Sequence, residues 1–201
     1  MKTILIDDVQ YTFPDSWDEV NLETLQKFTK LQETTFETEM DKNVEMIQTM
    51  SSIPRDLLLQ IPIQDFKELG SMFDWMTTYP DDKKVIAGIS IDGQKYIPIN
   101  VETISMGDWI SIEVFQNRPD KEDNIHILAA ILVRPEVDGK IEVLKDMDNI
   151  TARAELFKKK LMVGDYWPIV QSFFAGAVSS SLNNSEASFR QQKSRLKIVS
   201  S

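Results

Sequence analysis

The chain has 201 residues, 42% hydrophobic and 27% charged, which fits one medium or two small folded domains rather than a disordered or fibrous chain. Its net charge of −10 repels nucleic-acid phosphates and anionic bilayers, so neither is expected as a main partner. With no cysteine, disulfides, thiolate nucleophiles and thiolate-held metals are excluded together.

The first residues lack the apolar core and small-residue cleavage site of a signal peptide, and the uncharged run from Ile127 to Val133 is too short to span a bilayer. A soluble, intracellular protein is expected. Ile4, Ile6, Val9, Tyr11 and Phe13 alternate with polar residues around Asp7-Asp8, the pattern of a β-hairpin with a tight acidic turn that Pro14 ends. Asn21 is an N-cap type, and Leu22, Leu25, Phe28 and Leu31 follow at helical spacing. The polar passage Gln32 to Asp41 predicts a loop. Asn43 then opens a second helix carrying Val44, Met46, Ile47 and Met50 and stopping before Pro54. Asp65 with Glu68 forms a capping-box pattern for a third helix with Phe66, Leu69, Phe73 and Met76 on one face. Tyr79-Pro80-Asp81-Asp82 predicts a break.

The same order recurs. Ile89, Ile91, Asp92-Gly93 and Tyr96 repeat the hairpin, with a glycine that accepts the positive φ of its turn. Ser105, with Asp108 as capping partner, precedes Met106, Trp109, Ile112 and Phe115, which match Leu22, Leu25, Phe28 and Leu31 and should share their core role. Asn124 to Pro135 repeats Asn43 to Pro54, and Leu161, Val163, Asp165, Tyr166, Ile169 and Phe173 repeat the third helix. Residues 136–150 are an insertion in which Asp138-Gly139 predicts a small extra hairpin with Ile141, Val143 and Leu144. The expectation is an α+β, mostly α fold: a tandem duplicated module of β-hairpin followed by three helices over 1–82 and 85–178. Residues 179–201 are a basic, partly flexible tail with Arg190, Lys193, Arg195 and Lys197 against the single acid Glu186. Such a tail, with Phe189 among its apolar side chains, is a candidate for docking on an acidic copy or partner.

Catalysis has few places to come from. The one histidine, His126, has no HxxxH, HxxE or cysteine companion and reads as the polar face of its helix. There is no glycine-rich phosphate loop and no GxSxG elbow. Asp7, Asp8, Asp15, Asp18 and Glu19 lack the spacing of an EF-hand loop and read as a solvated acidic face. No catalytic residue, metal site or cofactor is expected. The four tryptophans are core by default, Trp17 having a second reading as an exposed contact residue before the first helix.

The opening Pro14-Asp15-Ser16-Trp17-Asp18-Glu19-Val20-Asn21-Leu22, set between a short hairpin and an amphipathic helix, resembles the start of small tailed-bacteriophage morphogenesis proteins. The nearest group is the phage tail assembly chaperones and related virion proteins. Trp17, Glu19, Val20 and Leu22, with Gln26 and Phe28, carry the resemblance, which covers about the first thirty residues. It implies a non-enzymatic assembly or virion protein in the cytoplasm of an infected bacterium or in the virion. Its partners would be other phage structural or assembly proteins, or a second copy, with no nucleic acid, membrane or small-molecule substrate. The second module departs from a minimal chaperone and leaves chaperone and virion component both open. A non-viral adaptor is the alternative, and a carboxylate or metal-dependent enzyme the third reading.

Overall fold

The computed structural model describes residues 1–81, 83–102, 104–143 and 147–177. The fold is α+β and mostly helical, with two antiparallel sheets. Strands β1 (Lys2–Ile6) and β2 (Val9–Phe13) pair in the register Ile6↔Val9 to Lys2↔Phe13. Asp7 and Asp8 between them both take positive φ, 50° and 63°, the backbone a two-residue hairpin turn demands. Four helices follow: α1 (Leu22–Glu33), α2 (Glu39–Met50), the single turn α3 (Arg55–Leu58) and α4 (Ile63–Ser71). Asn21 caps α1 as expected, its side chain accepting from the Thr24 N–H at 2.9 Å. Two other starts differ. Helix α2 begins at the Thr38 cap rather than Asn43, because Thr38 accepts from the Asp41 N–H and donates to its carboxylate at 2.7 Å. Pro62 rather than Asp65 precedes α4; proline suits a helix start, where a missing N–H costs nothing.

In the second half β3 (Ile89–Ile91) and β4 (Gln94–Pro98) form a hairpin turning on Asp92 and Gly93, φ 52° and 81°. Asp8 performs the same turn in β1–β2, so Gly93→Asp should cost no more than about 1 kcal/mol, whereas Gly93→Val, β-branched at positive φ, should cost clearly more. Paired thermal melts check this. Helix α5 (Met106–Gln116) starts at a complete Ser105–Asp108 capping box. Of its expected core stripe, Ile112 and Phe115 are buried and Trp109 is half-buried, but Met106 is 73% exposed, and it is Asp108 that the first turn of α5 buries. Next come α6 (Ile125–Leu132), β5 (Val133–Val137), β6 (Lys140–Ile141) and α7 (Met147–Lys160). A final helix, α8, occupies residues 163–177.

Two expectations here need correction. Pro135 does not merely stop a helix; it lies within β5, facing Tyr96 where the strand passes from β4 to β6. The insertion supplies the expected Asp138-Gly139 hairpin, both turn residues at positive φ, but α7 also crosses its far boundary. Among the described residues the second half therefore holds four helices rather than three, and the first half also reaches four through the single turn α3. Leu144 and Asp82 lie outside the described residues, as does the tail with Phe189, Arg190, Lys193, Arg195 and Lys197.

One core joins both halves, running from Phe13 and Leu22 through Ile112 and Leu132 to Phe157 and Phe173. Ala129 and Ala130, fully buried on α6, let α7 approach closely. Helix α1 packs on α2 and also on α6 and α7. The halves are also hydrogen-bonded directly: Leu22 N–H donates to Leu161 O at 3.1 Å and Val163 N–H to Val20 O at 2.7 Å. Asn21 adds a bond from its Nδ2 to Lys159 O at 3.1 Å. Among the described residues no helix is long and apolar enough to cross a membrane.

Candidate interaction surfaces

The titratable side chains singled out in the sequence do not converge. Asp7 and Asp8 form the first turn; Asp15 and Glu19 face the Met1 amine; Asp18 pairs with Lys84 at 3.0 Å. Among the described residues no group of three or more His, Asp or Glu side chains could hold a metal ion. His126 is not on a polar face. It is buried between α1 and α6, with Nδ1 2.9 Å from Gln26 Nε2 and Nε2 3.9 Å from Glu155 Oε1. Burial, then the nearby Lys158, lowers its pKa against the opposing pull of Glu155, so the ring stays neutral and ties two helices. Its counterpart in the first half, Glu45, instead meets Arg55 at 2.7 Å.

Trp17 is half-buried. Its indole N–H donates to Thr78 O at 2.6 Å and its ring meets Trp75 edge-on, centroids 5.1 Å apart. It fastens the segment after α4 onto the start of α1. Nearby, Tyr79 stacks on Trp167 at 5.9 Å, and Tyr79 joins Trp17, Trp75, Lys84 and Gly164 in lining a shallow cleft of about 240 Å³. The outer edge of Trp17 is thereby left beside a surface cleft.

A more apolar surface lies between α2 and α4. Helical spacing sets Met40, Asn43, Ile47 and Met50 on one face of α2, and Phe66, Gly70 and Phe73 on the facing side of α4 and its extension. Met46 and Met76 also line this groove of about 340 Å³, in which Lys67 is the one charged lining residue. Ile47, Met50, Phe66 and Phe73 form a buried floor, while Met40 is 41% exposed at the lip. Gly70 lines the groove, and a Cβ there would meet nothing within 4 Å, so the position opens onto free space. Four methionines around one depression give unbranched, polarisable walls that adapt to different apolar shapes. The sequence marked Met46, Met50 and Met76 as core-facing, but the spacing of two separate helices cannot reveal that they leave a gap between them.

Comparison of the chain with protein-family models, with curated proteins and with solved structures finds no match in any of the three.

Proposed function

We propose that this chain is a non-enzymatic bacteriophage assembly or virion protein that works by protein–protein binding, in the cytoplasm of the infected bacterium or in the particle. The observation that carries the reading is the methionine-lined groove between α2 and α4, whose apolar walls suit the apolar face of an amphipathic helix from another phage tail or virion protein. The resemblance of Trp17, Glu19, Val20 and Leu22 to tail assembly chaperones supports the same class of work. We also read residues 1–82 and 85–178 as a duplicated hairpin-plus-helices module. In favour of duplication, each half starts with a hairpin turning on two positive-φ residues, followed by a helix capped by Asn21 or Ser105.

Gly70 provides the test, because its surroundings are open. Gly70→Ala should raise stability by about 0.5–1 kcal/mol through helix propensity and leave binding intact. Gly70→Trp should fill the groove with little change in melting temperature. Tagged protein from phage-infected cells should then capture tail or virion proteins, identified by mass spectrometry, with the wild-type and Gly70→Ala chains but not with Gly70→Trp. Capture of host proteins alone would favour the adaptor reading. Equal capture by Gly70→Trp would remove the groove from the function.

A further inference from the structure

A second groove, of about 550 Å³, runs between β1 and α4. Its apolar floor is Ile4 and Ile6 of β1 with Ile61, Leu69 and Met72 opposite. Its charged lining is entirely acidic: Asp7, Asp65 and Glu68, none of which has an ion pair among the described residues. One wall is an open sheet edge. The pair flanking a two-residue turn, here Ile6 and Val9, exchanges both hydrogen bonds, so Thr3 and Leu5 direct their N–H and C=O groups outward. The outer side of β2 is met by Ser52, whose N–H donates to Thr12 O at 3.4 Å. No element pairs with the outer side of β1 among the described residues, although Leu5 there is 73% exposed. An unpaired apolar edge beside a groove is the geometry that recruits an extended segment as an added strand.

We propose that this groove binds the C-terminal segment of this same protein, residues 193–199, as a strand added to β1. The segment Lys193-Ser194-Arg195-Leu196-Lys197-Ile198-Val199 contains the run Arg195-Leu196-Lys197-Ile198, which alternates charged and apolar residues with period two. Extended, it places Lys193, Arg195 and Lys197 on one face and Leu196 and Ile198 on the other. The groove lines up both kinds of partner, apolar side chains for Leu196 and Ile198 and, on Asp7, Asp65 and Glu68, three carboxylates without an ion pair among the described residues for the cations. Charge also separates this occupant from the obvious competitor, the β1 edge of a second copy. Edge-to-edge pairing of two copies would bring their acidic rims together, whereas residues 179–201 carry four cations against one acid. Reach is sufficient: the sixteen residues from Ala177 to Lys193 can extend about 50 Å, and a domain of this size has a radius of gyration of about 16 Å.

The cysteine-free sequence makes the test clean. In the full chain, Asp65→Cys with Arg195→Cys should form a disulfide in a glutathione buffer at least ten times faster than the control pair Met106→Cys with Arg195→Cys, which joins the same tail position to an exposed site on α5. A compact monomer on a non-reducing gel assigns the segment to its own chain, and a covalent dimer assigns it to a neighbouring copy; either supports the proposal. Adding Glu68→Lys to the first pair should slow closure several-fold, and adding Lys197→Glu as well should restore it. Equal rates for the two cysteine pairs, or closure indifferent to Glu68→Lys, would overturn the proposal.

Discussion

Replacing Arg134 with methionine should lower stability by about 3–5 kcal/mol, the cost of stranding one partner of a buried ion pair. In a chain of this size that is a fall in Tm of roughly 6–20 °C. Arg134 on β5 meets the Asp108 carboxylate of α5 at 2.8 Å, with side chains only 5% and 8% exposed. The same guanidinium donates to Ile131 O at 3.2 Å and Glu142 O at 3.4 Å, while Asp108 also holds the Ser105 N–H of its capping box at 3.2 Å. Loss of Arg134 therefore leaves a carboxylate dry and uncompensated, and frees two carbonyls. Changing both residues, Asp108→Leu with Arg134→Met, should recover at least half of the loss, because no buried charge then remains. A double variant as unstable as the single one would show that Arg134 acts through the two carbonyls instead.

The pair also sets a pH dependence. Burial alone pushes the Asp108 carboxyl up, but hydrogen bonds from Ser105 and Arg134 and the charge of Arg134 outweigh it and hold the group below its ordinary 3.8. The unfolded chain thus takes the proton first on acidification. The contribution is complete above the ordinary carboxyl range and is lost as pH falls through the lowered folded value. In Arg134→Met the hydrogen bond and charge of Arg134 are gone and only Ser105 opposes burial, so the acid limb of the stability curve should move to higher pH. Melts taken from neutral pH into acid would read that shift directly.

Gly164→Ala should cost about 2–3 kcal/mol, or roughly 5–10 °C in Tm. A Cβ at this position would come within 1.9 Å of Asp18 Oδ1, 2.8 Å of its Cγ and 3.0 Å of its Cα, so rotating the Asp18 side chain away cannot relieve the whole clash. The position matters because it is where the two halves are joined. The neighbouring Val163 N–H is hydrogen-bonded to Val20 O, and Lys84 bridges Asp18 and Asp165 at 3.0 Å each. Asp18→Ala should rescue Gly164→Ala in part, since it removes the carboxylate but leaves the close Cα. A variant as stable as wild type would mean that the start of α8 and the turn at Asp18 separate at this point without consequence for the fold.

The local devices were readable because each is decided by residues a few positions apart. The period-two pattern around Asp7-Asp8 and Asp92-Gly93 located two hairpins, and Asn21 and Ser105 marked helix starts that the backbone geometry bears out. Errors came where two local signals competed. Thr38 with Asp41 overrode Asn43, and Pro62 overrode Asp65. His126 looked polar on a helical wheel because a wheel does not know that Gln26 stands opposite with an amide to offer.

By itself the sequence determined the two hairpins, the helix starts at Asn21 and Ser105, the acidic body and the basic composition of the last residues, since these depend on neighbours in the chain. Only the tertiary structure decided that Pro135 sits inside a four-stranded sheet, that Asp108 spends its charge on Arg134, and that Gly164 must be glycine. It likewise decided that α2 and α4 leave a methionine-lined gap and that, among the described residues, β1 has an edge without a strand partner beside an acidic groove. Each of these depends on surfaces brought together from distant positions, and the energy of such contacts is set by shape and burial that no local spacing records.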